Sequence, residues 1–341
     1  MRMGRGMSIA IGCLVAIHAL VLFAGFVAPY NFDTQERFHP FAPPTRIHFF
    51  DSHGRLHFRP FVYALHQDEQ SSEYREDQSV NLPIRFFTTG EEYRLLGVWR
   101  CRIHFFGVST PARIYLLGAD GFGRDQLSRI LYGGRISLFA GLLAASLSVL
   151  LGLAWGSLAG FYGGKIDDVI MRFADLFVVV PWFYLLLAIR AMLPLHIGPA
   201  VAFFLVIATI GIVGWARPAR LVRGVVLSRR ERNFVLAARG FGASNLYLLS
   251  RHILPAAWGV ALTQMAVLIP QFILAEVLLS FLGLGIGEPV PSWRNMLAYA
   301  QQYHVLVSYW WMLLPGLALV PVFFVYHKLA DSHHARLQSL S

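Results

Sequence analysis

Apolar residues in this chain gather into long runs separated by polar, charged stretches. The first run, Ser8 to Ala28, follows a short basic start carrying Arg2 and Arg5. Further runs cover Ile136 to about Gly160, Phe173 to Met192, Ala200 to Trp215, Ala256 to Leu279 and Leu306 to Tyr326. About 20 apolar residues in helical form match the ~30 Å hydrocarbon core of a bilayer, so the pattern predicts six membrane-spanning helices. The first run is longer than the apolar core of a secretory leader, and no clear small-x-small cleavage site follows it. It is expected to remain as an uncleaved span.

The polar stretches orient the spans. Between the fourth and fifth runs lie Arg217, Arg220, Arg223, Arg229, Arg230, Arg232, Arg239 and Arg251, opposed only by Glu231. Loops rich in arginine stay in the cytoplasm, which places both termini inside. The polar stretch from Pro29 to Ile114 then lies outside. Its own arginines do not conflict, because the rule weakens for loops beyond about 60 residues. Strand-like segments at Arg46–Phe50 and Arg102–Val108 give it β character.

The expected fold is therefore an all-α integral membrane protein of six transmembrane helices, with a cytoplasmic helical loop and a β-containing extracytoplasmic insertion after the first helix. The expected divisions are an N-terminal transmembrane helix over 1–29, the insertion over 30–115, a five-helix core over 116–330 containing an inner loop over 216–255, and a cytoplasmic tail over 331–341.

Within the spans, small residues mark contact faces. Ser148, Gly152, Gly156 and Gly160 recur every four residues and form one smooth stripe on which another helix can approach closely. Pro181 should kink the third span. Asp168, Arg172 and Asp175 have the spacing to pair along one helix face. Tyr309, Trp310 and Trp311 at one end of the sixth span, with His327 and Lys328 at the other, are interfacial anchors.

Composition agrees with the pattern. Of 341 residues, 56% are hydrophobic and 14% charged, against about 25% charged in an ordinary soluble domain. The net charge of +10 would suggest nucleic acid in a soluble chain. Here the inside-positive bias accounts for it, and no RNA- or DNA-binding motif accompanies it. The two cysteines, Cys13 and Cys101, offer no disulfide framework. Gly160 to Lys165 has the outline of a phosphate loop, yet Ala159 holds the first glycine position and Ile166 the Ser/Thr position. No metal-binding spacing appears, and no convincing nucleophile–base pair supports an intramembrane hydrolase. A channel or secondary carrier acting alone would leave the inner loop without a purpose.

That loop has its own pattern. Phe234, Ala237, Ala238 and Phe241 share one face of a short helix. Gly242 permits the left-handed turn that ends it, and Ser244 suits the N-cap of a second helix. Two uses fit this amphipathic, basic element equally well: docking into a partner's groove, or lying among lipid headgroups.

The segment resembles the cytoplasmic coupling motif of ABC-importer permeases, which runs Glu-Ala-Ala, three residues, Gly, nine or so residues, then Ile-x-Leu-Pro with loose spacing. Ala237, Ala238, Gly242, Ile253, Leu254 and Pro255 carry the match, while Leu236 stands where the family usually has Glu. Glu231 fits the acidic–basic lead-in of the peptide-transport branch. Gly118–Leu138, Ile273–Gly285 and Pro291–Leu297 resemble blocks of the second, C-type permease subunit of dipeptide/oligopeptide/nickel transporters. The likeness is strong over 115–330 and weak over 1–30, and the insertion is longer than the family usually carries.

The resemblance implies a permease subunit that forms a peptide path with a second permease. Nickel or another small solute is the alternative cargo. Two ATPase subunits would dock on the inner loops and an extracytoplasmic binding protein would deliver the cargo. The chain would hold no cofactor, with ATP and Mg bound by the ATPases. ATPase coupling is expected of Glu231, Phe234, Ala237, Ala238, Phe241, Gly242, Ile253, Leu254 and Pro255. Gln264 and Gln271, seven apart on one face, either border the pathway or bond to the partner permease. Glu276 has the same two readings, with a structural pairing favoured. Gly152, Gly156 and Gly160 are assigned to helix packing.

Overall fold

The computed structural model describes residues 5–68, 73–110, 112–192, 198–281 and 288–338. Residues 194–197 of the expected outer turn, and 282–287 at the end of the Ile273–Gly285 block, lie outside the described residues. The chain divides into two compact units, one of residues 1–14, 138–286 and 322–341, the other of residues 15–137 and 287–321.

Helices dominate. They are α1 (Arg5–Leu22), α2 (Ala24–Val27), α3 (Gln126–Tyr162), α4 (Gly164–Val179), α5 (Trp182–Met192), α6 (Pro199–Val213), α7 (Ala216–Arg230), α8 (Asn233–Gly240), α9 (Asn245–Tyr247), α10 (Leu254–Phe281), α11 (Trp293–Tyr299), α12 (Tyr303–Ser308) and α13 (Leu314–Gln338). Among the described residues, four helical stretches are long and apolar enough to cross a membrane: Arg5–Leu22, Gln126–Tyr162, Asn245–Val277 and Trp310–Ala335. α6 and α7, bent by 42° at their junction, make a fifth if the pair is one span. The third apolar run is interrupted: α4 ends at Val179, Val180 is extended, and α5 begins after Pro181. Proline bars the residue before it from helical geometry, so the expected kink is a full break.

In the unit containing 138–286, the small-residue stripe of α3 receives α7. A Cβ on Gly152 would lie 2.5 Å from Pro218 Cβ, one on Gly156 2.4 Å from the Ala219 carbonyl oxygen, and one on Gly160 2.8 Å from Val226 Cβ. Higher on α3, the Ser148 hydroxyl donates to the Gly211 carbonyl of α6 at 2.8 Å. Residues 216–230, whose charge reads as the start of an open inner loop, thus form a helix packed along a span. Two of their arginines are compensated from α4: Arg223 pairs with Asp167, and Arg220 with Asp175. The acids of α4 therefore reach across to α7. No ion pair joins Asp168 to Arg172 among the described residues.

The other unit holds five strands, β1 (His48–Phe50), β2 (Leu56–Gln67), β3 (Tyr74–Pro83), β4 (Arg85–Leu95) and β5 (Trp99–Gly107). The first three form an antiparallel sheet in order β1-β2-β3, with Phe61 opposite Pro83 and Leu65 opposite Glu76. β4 and β5 form a hairpin, Phe86 facing Phe106. Alternation along β2 buries Phe61, Tyr63 and Leu65 on one face, while Val62 on the other joins Ile84, Phe106 and Ile114.

In the same unit the block preceding α3 meets the block preceding α11. The Trp293 indole donates to the Ile130 carbonyl at 2.9 Å, and Ser292 with Asn295 closes a capping box on α11. Two nearly sealed guanidiniums share two acids. Arg124 reaches Asp120 at 2.7 Å and Glu288 at 2.6 Å, and Arg129 reaches Glu288 at 2.9 Å. Buried charge persists only when paired in this way.

Candidate coupling site and membrane cavity

The 233–253 element is a helix, a tight turn and a second helical stretch. Two residues, Glu231 and Arg232, separate the end of α7 from the start of α8. Its underside is fixed by Val235, fully buried, together with Leu248 and Ile253. Arg239 lies over the Phe161 ring at 5.8 Å, tying α8 to the end of α3. Arg230 donates to the Gly160 carbonyl at 3.0 Å. That bond satisfies one of the carbonyls a helix C-terminus leaves without a partner.

The opposite side of α8 is open. Phe234 and Leu236 are about half exposed at 47% and 49%, and Phe241 is 93% exposed. Ala237 is exposed between them, and Ala238 is half-buried. An exposed phenylalanine costs hydration free energy that burial in a partner would recover, about 1.5–3 kcal/mol per large side chain. Gly242 has φ +83°, and no atom stands within 4 Å of where its Cβ would be. The backbone angle alone therefore selects glycine there. The Ala243 amide bonds back to the Ala238 carbonyl at 3.1 Å, closing the end of α8.

Ser244 then caps α9, its hydroxyl accepting from the Tyr247 amide at 3.3 Å. A π-helical turn, Leu248–Ile253, leads into α10. Leu254 is half-buried and Pro255 is exposed at the head of α10. His252 sits 6.0 Å from the Phe234 ring and 5.5 Å from Tyr247, so the second stretch folds back on the first. Glu231, at the C-cap of α7, is 74% exposed and 3.6 Å from Arg230.

Within the same unit α10 separates the three polar candidates. Glu276 is 5% exposed and engaged. Gln264 is half-buried, whereas Gln271 is exposed and lines a cavity of about 540 Å³. Phe177, Pro181, Val213, Arg217 and Phe272 also line it. Gln264 does not, so the two glutamines share a helix face but not a surrounding.

Four contacts carry no sequence signal of their own. Arg239 over Phe161, Arg230 on Gly160, Arg217 in the cavity, and His333 of α13 at 2.8 Å from the Thr263 hydroxyl all join positions at least 70 residues apart or depend on a cavity. Val235 is different. It is the apolar neighbour of Phe234, and its burial turns the phenylalanine face outward.

A family model described as binding-protein-dependent transport system inner membrane component matches residues 152–339. The oligopeptide transport system permease protein OppC of Bacillus subtilis is 39% identical over 186 residues, which make up 54% of this chain and 59% of that protein. The dipeptide transport system permease protein DppC of the same organism is 38% identical over 222 residues, 65% of this chain and 67% of that protein. OppC of Haemophilus influenzae is 34% identical over 222 residues, covering 65% of this chain and 69% of that protein. This chain thus spans about 59% of the Bacillus OppC it resembles.

Proposed function

Because the chain belongs to the family of binding-protein-dependent transport system inner membrane components, we propose that it is a permease subunit of an ATP-driven importer for di- or oligopeptides. The observation that carries this reading is the rigid helix–turn–helix at 233–253, which presents Phe234, Ala237 and Phe241 inside the matched region. It is the shape a nucleotide-driven partner needs to push on the spans.

In this reading the chain crosses an inner membrane six times with both termini in the cytoplasm. Residues 1–29 form the first span, 30–115 an extracytoplasmic insertion, 116–330 the permease core and 331–341 a cytoplasmic tail. The docking element lies in the part of 216–255 that follows α7, with Glu231, Phe234, Ala237, Ala238, Phe241, Gly242, Leu254 and Pro255 on its surface and Ile253 in its buried underside. A second permease completes the path, two ATPase subunits bind ATP and Mg, and a binding protein delivers cargo from outside. This chain binds no nucleotide and performs no hydrolysis.

The coupling step follows from the joints of α8. Closure of the ATPase pair on ATP shifts the groove that holds Phe241. α7 and α10 leave the element at either end, so the shift passes directly into the spans. Such a switch requires that the ATPase contacts differ in energy between the two states. A phenylalanine seated in one state and withdrawn in the other supplies that difference.

Peptides are favoured over nickel because the relatives carry oligopeptide and dipeptide permease names. The test is ATP-dependent uptake of labelled tripeptide by proteoliposomes holding the assembled transporter. Uptake with this chain and none without it supports the reading. Nickel uptake in place of peptide uptake would move the cargo to the second candidate.

A further inference from the structure

The cavity in the 138–286 unit sits where three helices lose regularity. α4 and α5 break at Val180–Pro181, α6 and α7 bend at Gly214–Trp215, and α10 carries Pro270 one residue before Gln271. All three places border it: Val180, Pro181, Gly214, Gln271 and Phe272 are in its lining. Irregular backbone at membrane depth persists only where it is buried in protein or lines a cavity, and such interrupted helices build the substrate sites of many membrane carriers.

The depth follows from the packing along α3. Gly214 abuts the Ser148 hydroxyl, and Pro218 abuts Gly152, eight residues before the inner end of the span at Gly160. At 1.5 Å per residue Pro218 lies roughly 12 Å inside the cytoplasmic boundary. Arg217, beside it, therefore belongs near the middle of a ~30 Å core.

There the polarity is sparse and specific. The lining is apolar apart from Arg217 and Gln271. Arg220 and Arg223 are matched by Asp175 and Asp167, yet Arg217 forms no ion pair among the described residues. A cation at this depth is costly, which makes it a functional candidate with an anionic counterpart to be named. A guanidinium binds a carboxylate through two parallel hydrogen bonds. The Gln271 amide both donates and accepts, as a peptide unit requires. The volume of about 540 Å³ falls within the roughly 300–1,000 Å³ of small-ligand pockets.

We propose that Arg217 and Gln271 form a recognition site inside the membrane for the C-terminal end of the transported peptide, Arg217 holding the terminal carboxylate and Gln271 the adjoining amide. This rests on the permease reading above and assigns to this chain a part in cargo selection separate from the binding protein's. A lipid headgroup would offer the same anion but belongs at the interface, not at this depth. An acid of the second permease is the competing partner for Arg217.

The experiment uses the assembled permease–ATPase complex in nanodiscs without binding protein, so that only the membrane site is read. The probe is alanyl-photoleucyl-alanine, as free acid and as C-terminal amide, with uptake of trialanine by the complete transporter measured in parallel. The free acid should label the wild-type chain saturably, with labelling competed by trialanine and not by trialanine amide. Arg217→Gln should reduce that labelling at least tenfold while leaving complex assembly and nucleotide binding unchanged, and Arg217→Lys should retain part of it. Gln271→Leu should weaken labelling by both probes. Equal labelling by acid and amide, or labelling indifferent to Arg217→Gln, overturns the carboxylate site while peptide uptake keeps the permease reading intact. Loss of assembly in Arg217→Gln, with wild-type labelling competed equally by trialanine and trialanine amide, assigns Arg217 to the partner permease and also overturns it. Absence of peptide uptake by the wild type removes the peptide reading itself.

Discussion

Gly242 owes its identity to one backbone angle. Its φ of +83° lies in the left-handed region, and nothing within 4 Å would oppose a side chain. A substitution there acts through conformation alone, at roughly 1–2 kcal/mol for an ordinary residue and more for a β-branched one. Gly242→Ile should therefore leave the spans and assembly intact but tilt α8 and Phe241, so that ATP hydrolysis continues while uptake falls. Gly240→Ala, also in open space but in helical geometry, is the control and should transport normally. Normal uptake by Gly242→Ile would remove α8 as the coupling device. Leu236 is half exposed on the same helix, so in the coupling reading apolar contact is what the element would offer a partner. Asp125, at the head of α3, gives a second residue-level expectation. Burial pushes its carboxyl from the ordinary 3.8 up to about 7, partly offset by the Ser128 hydroxyl and amide that donate to it. The folded state then keeps a proton that the unfolded state releases near pH 4, so stability falls as pH rises through the window from about 4 to about 7. Thermal melting of wild type and Asp125→Asn across that window should show the wild type losing ground as pH rises. Parallel curves would show that Asp125 does not titrate there.

At the scale of elements, the stripe Ser148–Gly152–Gly156–Gly160 was legible as a site of close approach, but the helix that occupies it was not. α7 carries Arg217, Arg220, Arg223, Arg229 and Arg230, and a segment so charged reads as solvated loop. Two of those charges are answered by Asp175 and Asp167, 45 and 56 residues away in sequence. Spacing rules see only neighbours on one helix, which is why Asp168, Arg172 and Asp175 suggested a local ladder. The actual pairs cross from α4 to α7. The coupling turn was more readable, because Gly242 and Ser244 act on their own backbone within a few residues, where sequence is sufficient. The α3–α7 contact makes a signed prediction. A Cβ on Gly156 would meet the Ala219 carbonyl oxygen at 2.4 Å, a backbone atom that cannot swing aside. Gly156→Ala should destabilise by roughly 1–3 kcal/mol, as overpacking does. Gly224→Ala on α7, with no atom within 4 Å, should be neutral or stabilising by up to about 1 kcal/mol. The two melting temperatures should move in opposite directions, and a loss at Gly224 equal to that at Gly156 would contradict the packing.

For the molecule as a whole, apolar runs foretold where the long helices lie, since a bilayer imposes a length that sequence records directly. They could not foretell the strand pairing of residues 48–107, which depends on partners such as Phe61 with Pro83 and Phe86 with Phe106. Nor does hydropathy alone separate a span from an interrupted one, as the break at Pro181 and the 42° bend between α6 and α7 illustrate. The six-span arrangement therefore needs its own measurement. Cys13 and Cys101 are both free thiols and can be replaced by serine to give a silent background. Single cysteines at His53 in the insertion, at Leu246 after the coupling turn and at Tyr303 at the start of α12 all fall on exposed positions. In spheroplasts an impermeant maleimide should label His53→Cys and Tyr303→Cys at once, and Leu246→Cys only after the membrane is opened. Labelling of Leu246→Cys from outside would invert the chain and leave α8 with no ATPase to meet. Protection of Tyr303→Cys with His53→Cys labelled would change the number of crossings between them from even to odd and overturn the six-span arrangement.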